Sequence, residues 1–353
     1  MKKILSLFLS FLITVSFCAC GGEDGTSSVS FENDSQSVVS EEVSTEVSVS
    51  SENSQIENSR PESGEIKSSE PEISSTSSQP QSEPLNTQSA SPPVSSDVPI
   101  SNASVGKYIV NDPENTRGLS NAKSDFSFGV AKDGKPHNIS VNNQAKFDSM
   151  NNVEALALDT VSADKRMYLT FDCGYEYKNL TGNILDTLKE KNVKAAFFVT
   201  LEYIKTSPQF VRRMIDEGHI VGNHSATHPV FPNISRVKMA EELYLVDEYL
   251  QTDFGYTSRY FRFPTGAYSE NSLELVTSLG YKSIFWSIAY ADYDTANQAG
   301  YDKALQTVTA RFHPGAVILL HAISQDNADI LSAVIDTAYG QGYTFKTLDD
   351  YYR

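Results

Sequence analysis

The chain has 353 residues and a formal net charge of −17 at pH 7. Most of this charge belongs to residues 21–105, which hold 15 acidic residues, 2 basic residues and 26 serines. The part after residue 105 has no basic excess, which argues against a nucleic-acid partner. Because residues 21–105 contain few large apolar side chains, burial cannot offset their ordering entropy, and they are predicted to be a disordered acidic, Ser/Glu-rich linker.

Residues 1–20 have the pattern of an export signal. Lys2 and Lys3 precede an apolar run at residues 4–17, which is shorter than the ~20 residues of a membrane span. Residues 17–20, Phe-Cys-Ala-Cys, resemble a bacterial lipobox, which predicts cleavage before Cys20 and lipidation of that residue. This places the protein outside the cytoplasm, anchored to the outer face of a bacterial cell membrane. An ordinary secretory signal with release of a soluble product is the alternative.

Cys173 is the cysteine that this processing leaves with a free thiol. Cleavage removes Cys18 and lipidation occupies Cys20, so Cys173 has no disulfide partner. A small buried apolar side chain is the simplest interpretation of a free cysteine.

The rest of the chain divides into two parts. Residues 106–165 show turn signals but little periodicity, and are predicted to be an N-terminal lead-in packed on the main domain. In residues 166–353, strand-like runs alternate with runs of helical spacing. The predicted strands are 168–171, 195–200, 220–223, 260–263, 283–288, 317–321 and a short one near 345; the predicted helices are 180–191, 208–217, 235–253, 269–279, 302–312 and 328–339. This alternation is typical of a parallel sheet, and so many units favour an α/β fold with barrel-like closure.

Polar residues follow several of the predicted strands. Active-site side chains of α/β barrels collect at the carboxyl ends of the strands, so these residues are expected on one rim. They are Asp172, His224, His228, Arg262, Pro264, Asp292 and His321.

His224 and His228 are candidate metal ligands. A spacing of four residues puts both imidazoles on one side of a helical turn or tight loop, where they can share one ion. Surface or core histidines are the alternative. Three of the six histidines fall on the predicted rim, which favours the metal pair. The pattern is not a zinc-protease signature, because Ser225 follows His224.

The remaining rim residues suit acid–base chemistry. Asp172 is a candidate general base that Arg262 would orient and keep charged, with a structural ion pair as the alternative. His321 is a candidate general acid, and Asp292 would orient its imidazole and raise its basicity. If the other rim residues are disregarded, the apolar strand that carries His321 favours the alternative that it is a core histidine.

Apolar residues near the same strand ends suit a carbohydrate. Tyr175, Phe263, Pro264 and Trp286 are predicted to contact a sugar ring. Tyr268, Tyr290 and Tyr293 lie near the same strand ends and are further candidates for this stacking face, although most strand aromatics are simply core residues.

These residues together resemble the polysaccharide deacetylase family, carbohydrate esterase family 4, over about residues 165–350. Residues 170–174 stand where the family has Thr-Phe-Asp-Asp-Gly, and residues 224–228 match its His-Ser/Thr-x-x-His. Residues 262–264 match its Arg-x-Pro segment, Asp292 its later aspartate, and residues 320–321 its final Leu-His. Segments at 174–176, 222–225, 285–287, 313–316 and 342–346 resemble the delta-lactam-biosynthetic de-N-acetylases in particular.

The resemblance implies a distorted (β/α) barrel that removes N-acetyl groups from amino sugars of peptidoglycan, possible targets including N-acetylmuramic acid. The implied mechanism is metal-assisted amide hydrolysis, with Asp172 as base and His321 as acid. The expected partner is the peptidoglycan glycan strand, and we expect a monomer. The alternatives are a wall-glycan-binding pseudoenzyme, a deacetylase of another polysaccharide, and an esterase for O-acetyl groups.

Cys173 departs from the family pattern, which usually has a metal-binding aspartate there. Three interpretations follow. Cys173 binds as a thiolate and, with two histidines, favours zinc. Alternatively, it is a bystander and two histidines hold the ion with waters, or the site is metal-free and inactive.

Overall fold

The computed structural model describes residues 101–353. The predicted signal, the lipidation of Cys20 and the linker up to residue 100 therefore lie outside the described residues. Within the described part, no helix has both the length and the apolar character needed to cross a membrane.

Twelve strands and nine α-helices make up the described region. The strands are β1 (Asn102–Val105), β2 (Tyr108–Asn111), β3 (Ser124–Asp125), β4 (Ala155–Leu156), β5 (Arg166–Cys173), β6 (Ala196–Val199), β7 (Ile220–Asn223), β8 (Tyr260–Phe261), β9 (Ala267–Tyr268), β10 (Lys282–Ile284), β11 (Ala316–His321) and β12 (Thr344–Phe345). The helices are α1 (Asn138–Ser149), α2 (Leu180–Glu190), α3 (Leu201–Thr206), α4 (Pro208–Asp216), α5 (Arg236–Phe254), α6 (Glu270–Ser278), α7 (Tyr301–Thr309), α8 (Gln325–Gly340) and α9 (Leu348–Tyr351).

The main sheet has eight strands, in the order β11-β5-β6-β7-β8-β10-β4, with β12 also pairing with β5. All of its pairings are parallel. Two isolated bridges join the two edges of this sheet. Leu158, after β4, pairs with Ala316 of β11, and Ile288, after β10, pairs with Ile318 of β11. Closure through single bridges confirms the predicted distorted (β/α) barrel.

Alternation along β5 separates the barrel interior from the layer under the helices. Met167, Leu169, Phe171 and Cys173 belong to one apolar cluster with residues of α2, α4 and α8. Thr170 and Asp172 instead face the interior, where both bind Arg262. The period of two along a strand thus sends neighbouring residues to opposite faces.

The lead-in takes a larger part in the fold than predicted. Residues 102–105 form a hairpin with β2, so the predicted linker extends four residues too far at its C-terminal end. β4 joins the main sheet beside β10, although the barrel domain was predicted to begin at residue 166. β3 pairs with β9, which ties the lead-in to the rim of the barrel. These edge pairings satisfy backbone groups that the short segments could not satisfy alone.

Most predicted elements from β5 onward occur within a few residues of their predicted bounds, but one strand is shorter than predicted, and three short elements, α3, β9 and α9, were not predicted. The predicted strand 283–288 ends at Ile284, because the amides of Ser287 and Ile288 both donate to the Val317 carbonyl and the chain leaves the regular ladder. Helix α3 was not predicted. It begins directly after Thr200, whose side chain caps it by accepting from the Tyr203 amide.

Candidate active site

The candidate site lies at the carboxyl ends of the parallel strands. Asp172 near the end of β5 is the register partner of His321 at the end of β11. His224 and His228 follow β7, and Arg262 follows β8. A cavity of about 790 Å³ opens at this rim.

Asp172 forms a buried ion pair with Arg262. Nη1 of Arg262 donates to Oδ1 of Asp172 at 2.8 Å, and Nη2 donates to the Thr170 hydroxyl at 2.9 Å. Burial alone would raise the pKa of Asp172, but the positive charge of Arg262 and the nearby imidazoles hold that pKa below its ordinary value. Asp172 is therefore a carboxylate at neutral pH.

Arg262 is fixed on every side. Its Nε donates to the Ile284 carbonyl at 2.9 Å, and its guanidinium lies 4.2 Å from the centroid of the Phe198 ring. Trp286 lies 5.7 Å away on another side. Because Arg262 has no exposed surface, its orienting contact with Asp172 is sheltered from solvent.

His224 presents an imidazole lone pair to Asp172. Its Nδ1 lies 2.9 Å from the Arg262 carbonyl, which can only accept, so Nδ1 carries the proton. Its Nε2 lies 3.5 Å from Oδ2 of Asp172. Burial lowers the pKa of His224 to about 4, so the ring is neutral near pH 7. Two electron-rich atoms therefore face each other, an arrangement that fits a bound cation.

His228 completes the imidazole pair. Its ring centroid lies 4.9 Å from that of His224, and burial lowers its pKa as well. Neutral imidazoles are good ligands for divalent transition metals.

The loop between the histidines has a strained backbone. Ser225 and His228 have φ angles of 68° and 57°, in the left-handed region that non-glycine residues seldom adopt. Glu242 of α5, which is fully buried, accepts from the Thr227 amide at 2.7 Å and the Thr227 hydroxyl at 2.9 Å. Asn223 accepts from the Ser225 amide at 2.9 Å. These contacts hold the loop in its unusual conformation.

Cys173 does not line the cavity. It is fully buried in the apolar cluster beneath α2, on the opposite face of β5 from Asp172. Burial raises the pKa of its thiol well above the ordinary value of 9.0, and the charges of Asp172 and Glu176 raise it further. A neutral thiol in this position favours the bystander interpretation.

No group of three His, Cys, Asp or Glu side chains within residues 101–353 is arranged to hold a metal ion. The candidate donors that the structure does place together are His224 and His228, beside Asp172 and apart from Cys173.

His321 and Asp292 make a second acid–base pair. Nδ1 of His321 lies 2.7 Å from Oδ1 of Asp292, and the His321 amide donates to Oδ2 of Asp292 at 2.8 Å. Burial would lower the pKa of His321, but Asp292 outweighs it and raises that pKa above its ordinary value. The imidazole can therefore keep a proton near neutral pH.

The cavity wall is largely apolar. Of the predicted sugar contacts, Tyr175, Phe263 and Trp286 line it, whereas Pro264 is buried and is absent from the lining. Of the further aromatic candidates, Tyr290 and Tyr293 line the cavity and Tyr268 does not. The lining residues that were not predicted include Phe128, Val130, Ala289, Ala291, Arg311, Leu319 and Ile323. Phe128 and Val130 come from the lead-in, which hydrogen-bonds to the barrel through Phe126 and Gly266.

The structure thus brings Asp172, His224, His228 and His321 to one cavity, with Arg262 and Asp292 bonded to two of them. The sequence analysis missed Glu242, which accepts from Thr227 in the loop between the histidines, and Asn327, whose Nδ2 donates to Asp292. Neither residue stands out in the sequence, because each is a polar residue within a helix, where a polar side chain is usually exposed to solvent.

Comparisons with known proteins agree with this arrangement. A family model for polysaccharide deacetylases matches residues 160–284. The peptidoglycan-N-acetylmuramic acid deacetylase PdaA of Bacillus subtilis is 43% identical over 188 residues, which cover 53% of this chain and 71% of that protein. The chain belongs to the polysaccharide deacetylase family, as its motifs predicted.

Solved structures support the same assignment. The structure of Bacillus subtilis PdaA, a family 4 carbohydrate esterase, superposes with a TM-score of 0.60 at 36% identity, over 66% of this chain and 97% of that one. A family 4 carbohydrate esterase from Bacillus anthracis gives 0.53 at 40% identity, over 66% and 97%. A family pseudoenzyme from Bacillus anthracis also matches, with a TM-score of 0.50 at 25% identity over 53% of this chain and 65% of that one.

Proposed function

We propose that the protein is a hydrolase that removes N-acetyl groups from amino sugars of peptidoglycan, with N-acetylmuramic acid as the target. The observation that carries the proposal is the pairing of Asp172 with His321 across β5 and β11, with their pKa values shifted in opposite directions. The name of the Bacillus subtilis relative supports the choice of sugar.

Asp172 serves as the general base. Its Oδ1 is engaged by Arg262, whereas Oδ2 faces His224 on the cavity side. A carboxylate with a lowered pKa stays ionised at neutral pH and accepts the proton of the attacking water. Arg262 keeps the charge and the orientation of Asp172 through this step.

His321 serves as the general acid. Asp292 holds its Nδ1, so Nε2 is the nitrogen that gives a proton to the departing amine. Protonation of the nitrogen makes the amine a better leaving group. The raised pKa of His321 keeps this proton available near pH 7.

His224 and His228 would hold a divalent metal ion. Imidazole nitrogens suit zinc, which we propose as the ion, and Cys173 contributes no ligand. When bound, such an ion polarises the acetyl carbonyl and lowers the pKa of a bound water to about 7.

The apolar wall suits the faces of a sugar ring and the methyl group of its acetyl substituent. Tyr175, Phe263 and Trp286 lie along this wall, and Tyr290 and Tyr293 bring hydroxyl groups to it. Aromatic faces with a few polar groups are a common way to bind carbohydrate-sized ligands.

The pseudoenzyme alternative is disfavoured by the acid–base geometry. A protein that only binds glycan does not need a base and an acid with opposed pKa shifts on one rim. A deacetylase of another polysaccharide, or an esterase, would use the same groups, so the substrate must be tested directly.

Acetate release by the full chain from purified peptidoglycan is the decisive test, with bound metal measured in the same samples. Amine-reactive labelling followed by hydrolysis shows whether muramic acid or glucosamine was deacetylated. No acetate from peptidoglycan, chitin oligosaccharides or O-acetylated glycan, with and without added zinc, contradicts the enzyme proposal. Release from chitin oligosaccharides alone contradicts the choice of peptidoglycan.

For its location, we propose that the protein is anchored at the outer face of the cell membrane through lipidated Cys20. Residues 21–100 would then act as the tether from the membrane to the wall, and the catalytic domain would work as a monomer. The wall substrate named for the relatives supports this placement. Labelling with a fatty-acid analogue, lost in Cys20→Ser, tests the anchor; an unlabelled wild-type protein in the culture medium contradicts it.

A further inference from the structure

Asn327 joins three groups of the candidate site. It is fully buried in the first turn of α8. Its Nδ2 donates to Oδ2 of Asp292 at 2.5 Å and to the His321 carbonyl at 3.0 Å. Its Oδ1 accepts from the Tyr290 hydroxyl at 2.6 Å. One side chain therefore connects the acid–base pair to the wall of the cavity.

The orientation of the amide follows from its partners. Asp292 Oδ2 and the His321 carbonyl both accept, so the group that faces them must be the NH₂ group. The flipped amide would place its oxygen against two acceptors. The position is also fixed along the backbone, because the Asn327 amide donates to the Ser324 hydroxyl at 3.2 Å, which itself donates to Gln298 at 2.7 Å.

Three hydrogen bonds fix the carboxylate of Asp292, and one of them comes from Asn327. Each of the two carboxylate oxygens of Asp292 has its own hydrogen-bond partners. Oδ1 faces the His321 ring nitrogen, while Oδ2 accepts from the His321 amide and from Asn327. Without Asn327, only His321 itself would fix the rotation of Asp292. Rotation of the carboxylate would then free Nδ1 of His321 to lose its proton.

We propose that Asn327 is a positioning residue: it locks Asp292 against His321, fixes the ring tautomer with its proton on Nδ1, and links this pair to Tyr290 in the cavity wall. The catalytic consequence rests on the proposed function of His321 as general acid. The tautomer is a property of the protein alone.

Ring-nitrogen NMR of the full chain tests the tautomer directly. The protein is labelled with ¹⁵N in histidine, studied at pH 9 so that the ring is neutral, and His321 is assigned with His321→Gln. Wild type should carry its proton on Nδ1. Asn327→Ala and Asn327→Asp should both shift the ring toward the Nε2–H form, the form that the neutral side chain of free histidine favours.

Asn327→Asp keeps the volume of the side chain and remains informative if the alanine variant does not fold. One carboxylate oxygen still accepts from the Tyr290 hydroxyl, whereas the other replaces the NH₂ donor that faces Asp292. Asn271→Ala is the matched control. Asn271 is a buried, hydrogen-bonded asparagine outside the cavity lining, and its loss should leave the His321 ring unchanged.

Kinetics provide the second measurement. Loss of an outer-shell partner typically costs about 10–100-fold in activity, so kcat should fall by about that factor in both Asn327 variants, with KM changed by less than about threefold. An Nδ1–H ring in both variants overturns the inference, as does a shifted ring with wild-type kcat. A wild-type protein inactive on every acetylated glycan would contradict the proposed function instead, and the NMR result would still decide the role of Asn327.

Discussion

Asp172 and His321 are register partners on neighbouring parallel strands, and their local charges shift their pKa values in opposite directions. Arg262 outweighs the burial of Asp172, and Asp292 outweighs the burial of His321. Each partner is itself buried, so neither charge is screened by water. Two titratable groups whose environments push their pKa values apart are the arrangement that acid–base catalysis requires.

Asp172→Asn should abolish most of the activity. The amide keeps the shape of the side chain but cannot accept a proton, so kcat should fall by about 10²–10⁴-fold in an acetate-release assay. Asp159→Asn is the control, because Asp159 is also a buried aspartate with a lowered pKa but lies outside the cavity lining. Equal losses in the two variants would show that the effect on Asp172 is structural.

Asp292→Asn should change the pH dependence of kcat. The general acid works only when it is protonated, so activity falls as pH rises through the pKa of His321. Asp292 raises the pKa of His321 above its ordinary value of 6.5. Without the charge of Asp292 this pKa falls, so the basic limb of the pH profile of kcat should move to lower pH. Asp326→Asn is the control, since Asp326 accepts from the Gly300 amide and does not contact His321. An unmoved basic limb would contradict the acid role.

Cys173→Ala should leave the metal content unchanged. The thiol packs in an apolar cluster away from His224 and His228, so its removal should cost about 1 kcal/mol of stability and no ligand. Thermal unfolding and elemental analysis after dialysis against zinc measure the two effects. His224→Ala is the comparison and should lose the metal. Loss of metal from a folded Cys173→Ala protein would restore the thiolate interpretation.

Glu242→Ala should weaken metal binding without touching a ligand. It removes the acceptor for the Thr227 amide and hydroxyl, so the strained loop between the two histidines can relax. We expect zinc affinity to fall by about 10–100-fold in calorimetry. Glu242→Gln keeps an acceptor for the amide and should stay near wild type.

Glu241→Ala controls for the loss of a negative charge, because Glu241 lies beside Glu242 but is half-exposed. An affinity in Glu242→Ala equal to that of the control would mean that the loop keeps its conformation unaided.

Much of the fold was predictable, because its strands are apolar runs of the length that a buried parallel strand needs. Tyr168 to Phe171 and Ile220 to Asn223 lie within or match observed strands. The contribution of β4 was not predictable. A strand of two residues, Ala155 and Leu156, is too short to show an alternation of apolar and polar side chains. These residues form a strand only because they pair with β10.

The site was predictable where its residues follow strands. Asp172, His321 and the two histidines could be placed on one rim because parallel strands end at the same edge of a sheet. Phe128 and Val130 could not be placed, since the lead-in reaches the cavity through contacts with Gly266 and Trp286 that lie more than 130 residues away along the chain.

The sequence by itself determined the family, the barrel and the types of side chain available for the chemistry, because each depends on local pattern and on the order of short motifs. The tertiary structure decided which of two adjacent side chains faces the barrel interior and which packs under the helices. Asp172 and Cys173 are adjacent in sequence, yet the two-residue period of β5 turns one toward Arg262 and the other into the apolar cluster. Asn327 acquires its role only where α8 meets the chain after β10, because a hydrogen bond depends on distance in space rather than along the chain.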